Sequence, residues 1–320
     1  MLRKILIGVA VLVAAVLAFV AVGLSWAHLA IDQERAPLPA RNLVTLAAAM
    51  YKDLPVRLSV INTASQPMPR SAVLDASKDP KPTEPYVMSH PSFVLEWADG
   101  RLLLVDVGMT RQGAIDFGRP LEWLGGAAPM QPHESAAARL GDARQRVKGI
   151  VFTHLHLDHV GGIAELCEGM EHPVSVFMTE AQAERPNFTT RPGLKLLKQT
   201  SCVHQERLKG SRLLPVSGFD GVFVIAAGGH TPGSQVVVAV VKGPEETRGY
   251  IFTGDVVNNI DGVNDNIPKP YLYSLLIVPE DAQRLDELRR YLKDLRDGNN
   301  FRLLVSHDQI ALEHSGVPAW

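Results

Sequence analysis

Apolar residues are distributed along this chain in two different ways. After Met1, Leu2, Arg3 and Lys4, residues 5–27 run without a charge, and about twenty apolar residues suffice to span a bilayer. The basic flank predicts an N-terminus that stays cytoplasmic, with everything after Ile31 outside. A cleaved signal peptide is the rival reading, although its apolar stretch is normally shorter and ends at a small-x-small site. Residues 26–30, Trp-Ala-His-Leu-Ala, match such a site poorly. Residues 1–30 are therefore expected to be a membrane anchor or a signal segment. In a bacterial envelope this leaves the remainder on the periplasmic side of the inner membrane, or secreted after cleavage.

Residues 31–55 look like a polar linker with a short helix over 41–51. From residue 56 onward the apolar positions fall into short runs separated by turn residues. Strands are predicted over 56–61, 92–97, 102–107, 148–152, 221–226, 250–254 and 302–306. The second and third of these are joined by Ala98-Asp99-Gly100-Arg101, and Asp-Gly between apolar runs is a hairpin signal. A helix is expected from Ile163. Another is expected after Pro279, Glu280 and Asp281, a proline and two acids suited to a first helical turn. There Leu285, Leu288, Leu292 and Leu295 recur at three and four, an apolar stripe that should pack on a sheet. Removing the N-terminal segment leaves roughly 290 residues, and strands and helices in this order predict one large α/β domain within them, residues 56–320.

Composition narrows the choice of partner. The net charge of −2 and the lack of a basic stripe disfavour nucleic acid and leave a small-molecule substrate. Oligomeric state cannot be read from the sequence. The two cysteines, Cys167 and Cys202, could pair in an oxidising compartment. Cys167 falls on the helix that begins at Ile163, which favours a buried free thiol.

Chemistry concentrates at strand ends. Thr153-His154-Leu155-His156-Leu157-Asp158-His159 packs four candidate metal ligands into six positions. Imidazole and carboxylate are the usual ligands of zinc. His154 and His156 leave the predicted strand two apart, so both can point the same way. Asp158 and His159 come slightly later in the loop and can face a second metal. Gly161-Gly162 then turns the backbone into the helix. His230 sits in the turn Gly228-Gly229-His230-Thr231-Pro232-Gly233-Ser234, which Pro and Gly make rigid. Asp255 and His307 each follow an apolar run. Ser234 and Ser306 lie near these residues, but neither has a recognisable base and orienting partner, and they read as turn or strand-end serines.

These motifs, with Asp106 in Leu103-Leu104-Val105-Asp106-Val107-Gly108, resemble the metallo-β-lactamase superfamily in order over residues 57–308. The resemblance implies a four-layer αββα sandwich with a dinuclear site at one edge. It implies that His154, His156 and His230 hold one divalent ion, that Asp158, His159 and His307 hold another, and that Asp255 bridges them, with zinc the foremost candidate. Asp106 would order the histidine loop without binding metal. The implied activity is hydrolysis of an ester, lactone or thioester by a metal-activated water, with Asp158 or Asp255 moving the proton. Enzymes of the family that destroy β-lactams lack a carboxylate at the Asp255 position. The hydroxyacylglutathione hydrolases and N-acyl homoserine lactonases keep the full set, and the lactonases carry a tyrosine three residues later, where this chain has Asn258. Tyr271 and Tyr273 are the nearby alternatives. The same pattern also admits a mononuclear iron dioxygenase, a phosphodiesterase and a non-catalytic periplasmic binding protein. Residues 109–144 and 258–273 either line the substrate cleft or form a helix with its turns and a solvated loop. Trp123 in the first of them is a core residue or a substrate platform.

Overall fold

Twelve strands form two sheets in the computed structural model, which describes residues 2–31, 35–210, 212–243, 246–299 and 301–320. The first sheet contains β1 (Arg57–Pro69), β2 (Pro85–Glu96), β3 (Leu102–Val105), β4 (Gln131–Pro132), β5 (Val147–Val151), β6 (Val174–Met178) and β7 (Val203–Arg207), in the order β4-β1-β2-β3-β5-β6-β7. The second contains β8 (Leu214–Pro215), β9 (Val222–Ala226), β10 (Gln235–Lys242), β11 (Thr247–Phe252) and β12 (Arg302–Leu304), in the order β12-β11-β10-β9-β8.

The four layers follow from strand alternation. Along β3, Leu103 and Val105 face the second sheet and meet Val224, Val237 and Phe252. Leu102 and Leu104 face the other way, onto Ile163 and Leu166 of helix Ile163–Cys167 and Leu194 and Leu197 of helix Arg191–Gln199. The second sheet sends Ile225, Val236, Val238 and Ile251 outward, against Leu285, Leu288, Leu292 and Leu295 of helix Ala282–Asn299. Both sheets are thus covered on both faces, and inner strands such as β3 are apolar throughout. The predicted α/β class and the αββα layering hold.

Two local expectations change. β1 continues past Ile61 to Pro69 through Asn62, Thr63, Ser65 and Gln66, which look too polar for a core strand. Tertiary partners satisfy them: the Thr63 hydroxyl donates to the His90 carbonyl at 2.7 Å, and Gln66 Nε2 donates to the Ala128 carbonyl at 3.0 Å. Residues 109–144 carry helix Arg111–Trp123 and short turns, and Trp123 is 77 % exposed, so it is not a core residue.

The N-terminal apolar run is one helix, Leu2–Ile31, with a mean hydropathy of 3.2 over its most apolar stretch and no burial there. Thirty residues at about 1.5 Å each give about 45 Å, enough to cross a membrane. Its last turn touches the domain. Ala27 and Ile31 are buried, and His28 Nε2 lies 3.2 Å from the Leu275 carbonyl.

Cys167 is not a free thiol. It forms a disulfide with Cys202, with the two Cα atoms 5.6 Å apart. The sheet helps to make the pairing: the Cys202 carbonyl accepts from Val174 N at 2.7 Å, which sets the start of β7 beside the start of β6, shortly after Cys167 in the chain. The bond spans 35 residues of sequence. Reducing it, or replacing both cysteines by serine, should lower unfolding stability by about 3–4 kcal/mol, read from the urea midpoint. An unmoved midpoint would show that the crosslink constrains nothing.

A buried ion pair ties the end of β1 to the segment after Asp255. Arg70 donates through Nε and Nη2 to Asp79, at 2.8 and 3.0 Å, and through Nη2 to Asp261 at 3.0 Å. The Arg70 hydrogen bond holds the Asp79 carboxyl below the usual carboxylate range, against the effect of burial. That stabilisation is present above the unfolded pKa of about 3.9 and is lost as pH falls through the lower folded value. Asp79→Asn should cost about 3 kcal/mol at neutral pH. In urea melts the gap between variant and wild type should close below about pH 4; a gap constant with pH would remove the ion pair as its cause.

Candidate metal centre

Every predicted site residue lies just past the C-terminal end of a strand, at one edge of the sandwich. Asp106 follows β3, the His154–His159 group follows β5, His230 follows β9, Asp255 follows β11 and His307 follows β12. Asp106 takes a left-handed backbone, φ 58°, which aspartate tolerates better than most residues. Its carboxylate accepts from Thr153 N at 2.7 Å, Thr153 Oγ1 at 2.8 Å and His159 Nδ1 at 2.8 Å. Gly254, also at positive φ, brings the Asp255 turn against the same threonine. A Cβ there would stand 2.7 Å from Thr153 Cβ. Asp158 and His159 do not sit in an open loop; they occupy the short helix Leu157–Val160.

Among the described residues the donor atoms gather in three groups: His154, His156, His230 and Asp255; His159, Asp255 and His307; and His90, Asp158 and His307. In the first, His230 Nε2 is 3.2 Å from His156 Nδ1 and 3.5 Å from Asp255 Oδ2, and His154 Nε2 is 3.9 Å from that oxygen. In the second, Asp255 Oδ1 is 3.0 Å from His307 Nε2 and 3.3 Å from His159 Nε2. Asp158 Oδ2 stands 3.4 and 3.6 Å from the same two nitrogens. Donors held about 2.0–2.1 Å from a tetrahedral ion stand about 3.3 Å apart, so this spacing fits metal coordination. His154 Nε2 and Asp255 Oδ1 are buried and lack hydrogen-bond partners among the described residues. Such groups are expensive unless something else satisfies them.

Each imidazole is held from behind by a protein oxygen. His159 Nδ1 donates to Asp106, His230 Nδ1 to Glu280 Oε1 at 2.6 Å, and His307 Nδ1 to the Ser89 carbonyl at 2.8 Å. His156 Nε2 meets Thr189 Oγ1 at 2.8 Å, which turns Nδ1 inward. His154 Nδ1 lies 3.2 Å from Thr153 Oγ1. These contacts select the tautomer and aim the free nitrogen.

Electrostatics divide the histidines. Burial pushes His154 and His230 below their ordinary range and His156 down to about 3, helped in each case by neighbouring cations or imidazoles. Their lone pairs are therefore free for a cation at neutral pH. For His159 and His307 burial acts in the same direction, but it is outweighed, by Asp158 and Asp106 for the first and by Asp255 for the second, and both are raised. Asp158 and Asp255 are held below the usual carboxylate range because the surrounding histidines outweigh burial.

Several residues at this centre carry no sequence signal. Glu280 was expected in the first turn of a helix. That helix begins at Ala282, Asp281 caps it by accepting from Arg284 N at 2.9 Å, and Glu280 turns inward to His230. Buried Lys269 donates to Glu280 Oε1 at 2.7 Å and to the Asp255 carbonyl at 2.6 Å. With His230 it outweighs burial and holds the Glu280 carboxyl down to about 2. Of the two candidate tyrosines, Tyr271 is exposed, while Tyr273 is partly buried with its ring 5.6 Å from Lys269 Nζ. Asn258 contributes its carbonyl, which accepts from the Tyr86 hydroxyl at 2.8 Å. Buried His90 stands 3.3 Å from Asp158. A cavity of about 580 Å³ between Arg70, Lys81, Arg302 and His314 lies beyond Tyr86 and Asp308, and none of the predicted ligands lines it.

Residues 85–299 match the family model of the metallo-beta-lactamase superfamily. The chain belongs to that superfamily, and its family and His/Asp cluster make it a metal-dependent hydrolase. No curated protein matches it. Among solved structures it is similar to an N-acyl homoserine lactone hydrolase with N-hexanoyl-L-homoserine at its catalytic metal centre, with a TM-score of 0.59 and 16 % identity over 82 % of this chain and 96 % of that one. It is similar to a probable metal-dependent hydrolase from Staphylococcus aureus, with a TM-score of 0.55 and 13 % identity over 81 % and 91 %. It also resembles AidC, a dizinc quorum-quenching lactonase, with a TM-score of 0.51 and 16 % identity over 80 % and 90 %. At these identities the likeness is one of fold.

Glu280→Gln should weaken metal binding about 10- to 100-fold, measured by competition with a chromogenic chelator. Affinity equal to wild type would show that Glu280 does not aim His230.

Proposed function

We propose that the protein is a membrane-tethered hydrolase that holds two divalent ions, zinc foremost, and cleaves an ester, lactone or thioester of an amphiphilic small molecule. One observation carries the reading: the two oxygens of Asp255 face different groups of histidines, Oδ2 toward His154 and His230 and Oδ1 toward His159 and His307. His154, His156 and His230 would hold one ion, Asp158, His159 and His307 the other, and Asp255 both. Such ions supply Lewis acidity and bring the pKa of a water toward neutrality.

The chain's own groups do the rest. Asp158, kept ionised by its imidazole neighbours, can accept a proton and pass it to the leaving alkoxide or thiolate. Burial and the nearby Glu280 and Asp255 charges keep the Tyr273 hydroxyl protonated well above its usual range, so it serves as a neutral donor to a substrate oxygen. Asp106 and Glu280 keep His159 and His230 in place.

Residues 271–277 favour an amphiphilic substrate. Tyr271, Leu272, Leu276 and Ile277 are exposed on the segment that also contains Tyr273. Leu275 of this segment contacts His28, at the end of the membrane-length helix. An acyl chain lying along the apolar side chains would bring its carbonyl toward Tyr273. The disulfide suits the oxidising side of the membrane.

The test is metal content of the full chain purified in detergent, with hydrolysis assays across lactones, thioesters, aryl esters and phosphodiesters. Two ions per chain and turnover of one acyl class are expected, and Asp255→Ala should abolish turnover in a chain that stays folded by circular dichroism. One iron without hydrolysis would point to a dioxygenase. Phosphodiester turnover would replace the substrate class, and no metal after reconstitution would leave a binding protein. A metal-replete, active Asp255→Ala protein would remove the bridging role.

A further inference from the structure

His90 belongs to no recognisable motif. It sits in the middle of β2, in Ser89-His90-Pro91, and only 1 % of it is exposed. Its backbone is pinned on both sides: His90 N donates to Asn62 Oδ1 at 2.9 Å, and its carbonyl accepts from Thr63 Oγ1 at 2.7 Å. The ring makes T-shaped contacts with Phe117, centroids 5.7 Å apart, and with His307, centroids 4.9 Å apart. Neither ring nitrogen completes a hydrogen bond of good geometry among the described residues. Yet Nδ1 lies 3.3 Å from Asp158 Oδ2, and one donor atom from each of His90, Asp158 and His307 lies within 4.8 Å of the others.

A buried imidazole with two unpaired nitrogens is costly. The Asp158 oxygen beside it is ringed by three imidazole nitrogens: His90 Nδ1 at 3.3 Å, His307 Nε2 at 3.4 Å and His159 Nε2 at 3.6 Å. These separations resemble the edges of a coordination shell at about 2.0–2.1 Å from an ion. We propose that His90 is a further ligand of the second metal ion, binding through Nδ1 beside Asp158 and His307.

The proposal rests on the two-ion reading of the centre. With it, the second ion gains His90 in addition to Asp158, His159, His307 and Asp255. Four-coordinate zinc sites use fewer donors than that. The second site therefore favours an ion that accepts five or six donors, and the two sites differ in metal preference.

The test uses the full chain in detergent, stripped with chelator and titrated with cobalt(II). The wild type should take two equivalents. His90→Gln should weaken the second by about tenfold or more and leave the first unchanged, with an altered visible spectrum for the second ion only. His307→Ala is the control for loss of a ligand at that ion. Melting of the metal-free variant close to that of the metal-free wild type shows that the fold is intact. The proton spectrum of the dicobalt wild type supplies a reading that needs no variant: six hyperfine-shifted, exchangeable imidazole N–H signals are expected. Five signals, or a His90→Gln chain with wild-type affinity and spectrum, overturns the ligand role and leaves His90 as packing. A wild type that takes one ion overturns the two-ion reading together with this proposal, whereas two ions with an indifferent His90 overturn this proposal alone.

Discussion

The Asp106 carboxylate is the contact on which the site depends. It is buried, and it accepts hydrogen bonds from the Thr153 amide, the Thr153 hydroxyl and His159 Nδ1. Through Thr153 it sets the start of the histidine segment, and through His159 it sets one of the imidazoles. Thr153 also packs against Gly254, immediately before Asp255, so one carboxylate at the end of β3 coordinates residues arriving from both sheets. A buried carboxylate needs such partners to offset its lost hydration. The satisfied network resists rearrangement because each broken bond would leave a charge unpaired in a low-dielectric interior.

Around this anchor the sandwich acts as a frame. Short strands buried on both faces end at one edge, and the turns that follow them carry the donors. Rigid strands place side chains more accurately than loops do, and here five strand ends converge. The far nitrogens of the five predicted histidines are held by an aspartate, a glutamate, two threonine hydroxyls and a backbone carbonyl. These contacts fix the inward-facing atoms, and such fixing reduces the ordering cost of binding an ion.

The segment after Asp255 joins chemistry to location. Lys269, Tyr273 and Ser274 reach the Glu280 side of the centre, with Ser274 Oγ 2.5 Å from Glu280 Oε2. Leu275, in the same run, contacts His28 on the apolar N-terminal helix. A single stretch of chain thus abuts both the His/Asp cluster and the helix long and apolar enough to cross a membrane.

The His/Asp cluster was legible in the sequence because its spacing is local: histidines two and three apart after a strand, and isolated candidate donors after apolar runs, follow from strand and turn geometry alone. The helix stripe, the hairpin and the membrane-length run are legible for the same reason, since each is a periodicity within one segment. Contacts between distant residues are not encoded in that way. Glu280 lies 50 residues from His230, and as a sequence feature it resembles any acid near a helix start. His90 looks like one polar residue in a mixed strand, and Cys167 and Cys202 become neighbours only when β6 and β7 pair. Hydrophobic and turn periodicity determined the class of fold and the order in which the candidate donors follow the strands. Only the packing of the two sheets decided which remaining polar groups would be buried against them, because burial is what forces such groups to find partners.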